Sequence, residues 1–280
     1  MRGIEMTTPT PPKSNDFDRR TLIRRGGLTL GLGAFLSACA ADFGGDTAPG
    51  RVGLAQSETE LPEGVVNDVV YLRTMQSLEH SLVELLSALT ASGHFSAAQQ
   101  TYVERFVSDH VAASGVLGEH IAAAGGEPYA CENEWVRNRF VNPVIAAVDS
   151  SDDSRRDARN VAHAFETMLA HSYQHLVGLA ENPAHRQGLM ALGTSASRRS
   201  ALLATQISSA KYGYFGPGIN ADAAETTDEG FPIGYAVPAT FGQVGQILLV
   251  AGDVDDEGAR YSTLLQTPAE NTFVYEYMSC

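Results

Sequence analysis

The stretch 159–179, RNVAHAFETMLAHSYQHLVGL, constrains the fold of this 280-residue chain more than any other, because its apolar residues recur every three or four positions. That spacing places them in one stripe along an α-helix. Glu166 lies within the stripe, between Ala162 and Leu169. A carboxylate that faces a protein core costs several kcal/mol, on the order of 3 to 5, unless a proton, a partner or a metal neutralises it. We therefore expect this helix to carry a polar group into a helical core.

A second helix with an inward carboxylate is predicted over residues 67–89. One of its rows contains Glu79 together with the apolar residues Met75, Leu82 and Leu86. The opposite row, which is expected to face solvent, consists of Arg73, Ser77, His80, Glu84 and Ser87. Glu79 is thus predicted to point inward.

Two more helices are delimited by local signals. Ser96 is an N-cap for a helix that runs to residue 124, where Gly125-Gly126 ends it. The apolar stripe of this helix includes His110, which we expect to face inward. A fourth helix is predicted from Ala184 to about residue 211, with no charged residue on its inner row. The four helices indicate an all-α fold.

The remaining segments read as connections. Residues 127–148 contain two prolines and a short apolar end, which indicates a long crossover with some helix between two helical pairs. Residues 213–280 are punctuated by Gly and Pro and are predicted to be an extension packed on the helices. Within this extension, 246–251 and 272–278 are rich in branched or aromatic residues and are candidates for short strands.

The N-terminal 38 residues have the organisation of an export signal. Arg19 and Arg20 precede an apolar run over 26–38, and these 13 residues are too few for a membrane span, which needs about 20. The RRTLIR phrase resembles a twin-arginine signal, and Leu36-Ser37-Ala38-Cys39 resembles a bacterial lipobox. The resemblance implies a lipid on Cys39 and a flexible linker over 39–63. A chance Arg pair before a plain secretory signal is the alternative, and it also exports the protein.

The charge of the exported chain restricts its partners. Removing residues 1–38 takes 6 of 19 basic and 3 of 33 acidic residues, which leaves 13 − 30 = −17 formal charges. Such a surface repels nucleic acid and anionic lipid headgroups. We therefore expect no nucleic-acid partner and attachment to the cell membrane through the lipid on Cys39, while protein partners are not predicted.

Two cysteines remain once Cys39 is assigned to the lipid. Cys131 and Cys280 would lie in an oxidising compartment, where a disulfide is the simplest use of both. The bridge would close a loop of 280 − 131 = 149 residue steps. On the chain-entropy model this closure stabilises the fold by roughly 4 to 5 kcal/mol, less any strain.

Three phrases carry a resemblance to a family. Phe106-Val-Ser-Asp-His110, Ala124-Gly-Gly-Glu-Pro-Tyr129, and Phe165-Glu166 with Tyr173-Gln174 are similar to the exported bacterial branch of the ferritin-like proteins. The resemblance covers residues 64–212 and implies a four-helix bundle with a long crossover. It also implies a di-metal site built from one Glu on each of two helices and a Glu-x-x-His or His-x-x-His pair on each of the others.

The resemblance assigns half of that ligand set. The matching positions hold ligands, namely Glu79, His110 and Glu166. The three other positions hold residues that are not ligands of this family, namely Ala113, Ser197 and Ser200. Ser197-Arg-Arg-Ser200 stands where the fourth helix should read Glu-x-x-His.

Two interpretations of this half-site stay open. Two carboxylates and an imidazole resemble a facial triad, which would hold one iron, manganese or zinc ion for oxygen or peroxide chemistry. Alternatively, His110 hydrogen-bonds the carboxylates, Ser197 and Ser200 satisfy the rest, and the core holds no metal. The second interpretation predicts a non-catalytic envelope scaffold or interaction protein with no cofactor. The hydroxyls at 197 and 200 favour it, and we assign no catalytic residue.

Other motifs carry less chemistry. His171 and His175 are spaced for chelation but flank the apolar stripe, so they are expected to be solvent-exposed. Glu119-His120 is expected to cap its helix or face solvent. The chain has no Cys-x-x-Cys, no Gly-rich phosphate loop and no recognisable Ser-His-Asp arrangement.

Overall fold

A computed structural model describes residues 64–207, 246–266 and 270–280. Several predicted features lie outside the described residues, namely the signal (1–38), the lipidation site Cys39, the linker (39–63) and the extension up to residue 245. None of the helices in the described ranges has the length and apolarity needed to cross a membrane.

The described chain is mostly helical, as predicted, and has one two-stranded sheet. The four long helices are α1 (Asp68–Ala91), α2 (Ala97–Ala123), α5 (Ser154–Leu179) and α6 (Pro183–Ile207). The crossover contains the helical segments α3 (Glu134–Val136), a π-helical turn (Arg137–Val141) and α4 (Asn142–Asp149). The C-terminal part consists of β1 (Gln246–Ala251), β2 (Tyr261–Gln266) and a 3₁₀ turn (Glu270–Thr272).

The predicted helix ends follow their local signals. Ser96 caps α2 in a capping box with Gln99, in which each side chain hydrogen-bonds the backbone N–H of the other residue. Gly125 follows α2 with φ +82°, a conformation that a residue without Cβ adopts at no steric cost. Asp153 caps α5 by accepting from the Arg156 amide at 3.0 Å. The ends of α2 were predicted from these signals because caps are local interactions.

The core lies between two helical pairs. Helix α1 packs mainly against α2, and α5 packs mainly against α6, with further contacts between α1 and α5 and between α2 and α6. Leu78, Phe165 and Tyr173 are among the fully buried side chains of this core. Burying one such side chain stabilises the fold by about 1.5 to 3 kcal/mol. Helix α5 also contacts β1, β2 and α4, so it is covered on more sides than the other long helices.

The two strands form one antiparallel hairpin on α5. Val250 pairs with Ser262, and Gly258 in the connecting loop has φ +84°. The loop begins at Gly252, whose amide donates to the buried Asp157 carboxylate of α5 at 2.7 Å. The candidate strand 246–251 is confirmed, whereas the one at 272–278 is wrong. The partner of β1 is β2, which follows the turn at Gly258. Residues 273–278 hydrogen-bond to side chains of α1 instead.

The outer row of α1 departs from its prediction. Glu84 is exposed as expected, but Arg73 and Ser77 are buried, with 2% and 0% of their surfaces accessible. Asn133 of the crossover covers Ser77, because its amide nitrogen Nδ2 donates to the Ser77 hydroxyl at 3.0 Å. The C-terminal segment covers Arg73. Helix periodicity identifies the inner face of a helix but does not reveal which loops will pack on the other faces.

The predicted disulfide is present. Cys131, in the crossover, is bonded to Cys280, and their Cα atoms are 5.8 Å apart. The bridge joins the last residue of the chain to the loop that connects the two helical pairs.

Candidate functional site

The structure brings together the three residues that the resemblance selected. Glu79 of α1, His110 of α2 and Glu166 of α5 have no accessible surface. The Nδ1 atom of His110 lies 2.5 Å from Glu79 Oε2, and its Nε2 atom lies 2.9 Å from Glu166 Oε1. His110 therefore bridges two carboxylates in the centre of the core.

Two further side chains complete the cluster. The Tyr173 hydroxyl donates to Glu79 Oε1. The Nε atom of Arg199 donates to Glu166 Oε1 at 2.7 Å. Gly193 makes the approach of α6 possible, because a Cβ at that position would lie 2.7 Å from the Tyr173 Cβ. We call Glu79, His110, Glu166, Tyr173 and Arg199 the core ion cluster.

The geometry determines the protonation of His110. An ionised carboxylate only accepts hydrogen bonds, so a ring nitrogen that faces one must carry a proton. Both nitrogens of His110 face carboxylate oxygens, an arrangement that favours the imidazolium form. Burial by itself lowers the pKa of His110, but the charges of Glu166 and Glu79 and their hydrogen bonds outweigh it and raise the pKa to about 9.

The other cluster members are held in complementary states. Burial raises the pKa of the Glu166 carboxyl, but His110 and Arg199 outweigh this effect and bring the pKa below its usual value. Burial and the charge of Glu79 raise the pKa of Tyr173 well above its usual value, so its hydroxyl stays protonated and can donate. Two carboxylates then oppose one imidazolium and one guanidinium, and the cluster is electrically neutral.

Arg199 contradicts the prediction that the inner row of the fourth helix carries no charge. Its side chain is 6% exposed and reaches the core. The signal was in the sequence, because Arg199 lies three residues after the buried Ala196 and four before the buried Leu203, which is core spacing on a helix. The predicted inner row included Ser200 but not the adjacent Arg199.

The two serines do not act as expected. The Ser197 hydroxyl donates to the Gly193 carbonyl at 3.0 Å. The Ser200 hydroxyl lies 2.6 Å from the Thr167 hydroxyl. Hydrogen bonds to the carboxylates come instead from Arg199, at Glu166 Oε1, and from Tyr173, at Glu79 Oε1. Ala113 contributes only apolar surface.

This donor set does not fit a divalent ion in the arrangement seen. A cationic imidazole has no lone pair for a metal, and the guanidinium of Arg199 already supplies positive charge at Glu166. Within the described ranges, no group of three or more His, Cys, Asp and Glu side chains is arranged to hold an ion. One acceptor is left over, since the buried Glu166 Oε2 has no hydrogen-bond partner.

The remaining histidines are less exposed than predicted. His171 and His175 are half-buried, and burial lowers the pKa of His171 to about 4. His120 is also half-buried, and its ring lies edge-on to that of His185 with 6.0 Å between centroids. Glu119 is exposed as expected. His120 thus lies against α6, a contact that a single-helix projection does not show.

No protein-family model matches this chain, and searches of curated proteins and of solved structures find no match either. The chemistry of the site therefore rests on the five side chains of the core ion cluster. Their arrangement provides charge neutralisation in a closed core.

Proposed function

We propose that this chain is an exported protein, tethered to the bacterial cell membrane through Cys39, that acts as a non-catalytic scaffold or interaction protein of the envelope. Its helical body (64–212) is a ferritin-like four-helix bundle in which the core ion cluster replaces the metal site. The extension (213–280) packs on that body.

One observation carries the proposal, namely that a guanidinium and an imidazolium neutralise the two carboxylates that would otherwise need a cation. Removing one partner from a buried ion pair costs about 3 to 5 kcal/mol, because the remaining charge is buried without compensation. A buried cluster of this kind is therefore stable only with all of its partners in place. Here Glu79 and Glu166 each accept at least two hydrogen bonds. The cluster is thus a charge-compensated, hydrogen-bonded set inside a closed core, and within it only Glu166 Oε2 is left without a hydrogen-bond partner.

The ferritin-like assignment is supported by helix order and connection. Two pairs of long helices, α1 with α2 and α5 with α6, are joined by a crossover of 30 residues (124–153), and ferritin-like bundles have one such long connection. The three ligand positions of the resemblance also meet in space.

A second function is favoured by one observation. Glu166 Oε2 is buried and accepts no hydrogen bond, and such an oxygen is a donor atom for a hard cation. The alternative is a residual mononuclear site for oxygen or peroxide chemistry. It requires Arg199 to withdraw and His110 to lose a proton.

Elemental analysis of protein exported in its native host separates the two. We expect no di-iron centre and at most one weakly held ion per chain, because Arg199 and His110 already carry the compensating charge. Two equivalents of iron or manganese that are lost in Glu79→Ala or Glu166→Ala would overturn the proposal.

A gain-of-metal pair tests whether Arg199 excludes the ion. One variant carries Ala113→His, Ser197→Glu and Ser200→His, and the other adds Arg199→Ala. We expect clear uptake of iron or manganese only in the second, because the guanidinium competes for Glu166 in the first. Equal uptake in both would show that Arg199 is irrelevant to exclusion.

Membrane fractionation tests the tether. Changing Cys39 to Ala should release the protein from the membrane or leave an uncleaved precursor, because the apolar run before it is too short to span a bilayer. The control is Cys280→Ser, which removes a thiol without touching the lipobox. Undiminished acyl labelling in the Cys39→Ala protein would contradict the tether.

A further inference from the structure

The last eleven residues of the chain, 270–280, lie on α1 as a C-terminal strap. Arg73 of α1 holds the strap by its backbone, since its Nη1 and Nη2 atoms donate to the carbonyl oxygens of Tyr275 and Met278 at 2.5 and 2.6 Å. Tyr275 and Met278 are the two ends of a backbone turn, since the Met278 amide also donates to the Tyr275 carbonyl at 3.0 Å. Because the acceptors are main-chain oxygens, the contact recognises a peptide turn rather than a particular side chain.

Other contacts have the same character. The Thr74 hydroxyl accepts from the Val274 amide at 3.0 Å, and the Asn133 amide donates to the Thr272 carbonyl at 2.8 Å. Apolar packing adds to these bonds, since Val274 and Tyr275 are 4% and 7% exposed. The surface around Arg73, Thr74 and Asn133 is thus a peptide groove that the chain's own terminus fills.

The fit of the strap is incomplete. Arg73 is 2% exposed and its Nε atom, which is buried, has no hydrogen-bond partner. An unsatisfied buried donor costs about 1 to 3 kcal/mol, so a peptide with one more acceptor at this point would bind better than the strap does. In a chain with a strong excess of acidic residues, this guanidinium is an unusual feature of the groove.

The bond that retains the strap is accessible. Cys280 is exposed and Cys131 is half-buried, so a reductant can reach the bridge between them. We propose that the strap is a redox-controlled cover, and that reduction of Cys131–Cys280 frees it from α1 and opens the groove around Arg73 to a partner peptide that forms the same backbone turn.

The reduction step is a thiol–disulfide exchange with a dithiol. The two thiols of the reductant become one disulfide, and its two electrons and two protons convert the Cys131–Cys280 bond into two thiols. Only hydrogen bonds and apolar contacts then hold the strap.

Hydrogen exchange of the full-length protein with and without a dithiol tests the release. In the reduced protein we expect the Val274 amide to exchange roughly tenfold faster or more, while amides in the middle of α5 keep their protection. The matched control is Cys280→Ser, which should exchange like the reduced protein and should not respond to the dithiol. Unchanged exchange at 272–278 on reduction would overturn the lock.

Peptide binding tests the groove. The probe is a fluorescent synthetic peptide with the sequence of residues 271–280 and serine in the last position, titrated to about 1 mM because the tethered strap competes at a roughly millimolar effective concentration. We expect binding to reduced protein and to Cys280→Ser, and at least about tenfold weaker binding to oxidised protein. Adding Arg73→Lys to Cys280→Ser should weaken it, because one ammonium cannot reproduce the two-nitrogen fork. Equal binding to oxidised and reduced protein, or none to either, would overturn the groove.

Discussion

Two arginines of this protein are almost equally buried but sit in opposite environments. Arg199 is 6% exposed and pairs with the Glu166 carboxylate, whereas Arg73 is 2% exposed and donates to the backbone carbonyls of Tyr275 and Met278. Burial lowers the pKa of both, but Glu166 reverses the effect for Arg199, whose pKa is raised. The pKa of Arg73 stays lowered, because Glu276, Glu127 and Tyr129 offset burial only in part.

The difference shows two ways to bury a cation. At Arg199 the compensating charges come from long helices, so the pair cannot separate without opening the core. At Arg73 the compensating dipoles come from a terminal segment that a disulfide retains. The first arrangement contributes to global stability, and the second to the placement of one segment.

The largest effect is expected for Arg199→Met. The change leaves Glu166 with only His110 as a partner and should lower the free energy of unfolding by about 3 to 5 kcal/mol. Urea unfolding at pH 7 measures it. The control is Arg198→Met at the adjacent exposed position, which should stay within about 0.5 kcal/mol of wild type. Similar losses for both variants would mean that Arg199 is not part of a buried pair.

Alkaline pH should give the next largest effect. The pKa of His110 is raised from 6.5 to about 9, so its stabilisation is fully present below pH 6.5 and is lost as the pH rises through about 9. A shift of this size corresponds to roughly 3 kcal/mol. The free energy of unfolding, measured between pH 6 and 9.5, should decrease as the pH rises through about 9. The His110→Gln protein should not show this decrease. A flat profile for wild type would indicate a neutral imidazole.

The smallest effect is expected for Arg73→Met. The change removes two hydrogen bonds, but the released carbonyls of Tyr275 and Met278 can reach water if the strap loosens, so the loss should be about 1 to 2 kcal/mol. Hydrogen exchange should rise at 272–278 and not in α5. Arg105→Gln is the control, because its ion pair with Asp109 is largely exposed and is worth at most about 1 kcal/mol. A global destabilisation as large as that of Arg199→Met would remove the distinction between the two arginines.

The inward orientation of Glu79, His110 and Glu166 was readable because it depends on spacing along one helix, and the cap of α2 because it is a local interaction. Their grouping as one site came from the family resemblance. Arg199 was readable in principle, since 196, 199 and 203 share a helical face, but the predicted inner row of the fourth helix did not include it. Tyr173 was named in the family resemblance, but no role was predicted for its hydroxyl. Its hydroxyl meets Glu79 only because α1 and α5 are neighbours, and no local rule gives that distance.

The sequence by itself determined where α2 begins and ends and that Glu79, His110 and Glu166 point inward, because caps and 3.6-residue periodicity are local properties. The Cys131–Cys280 pairing followed from counting once Cys39 was assigned to the lipid. Tertiary structure alone decided which groups hydrogen-bond to the buried charged side chains. Arg199 reaches Glu166, and the strap covers Arg73, because hydrogen-bond partners far apart in sequence meet only when the helices and the terminus pack.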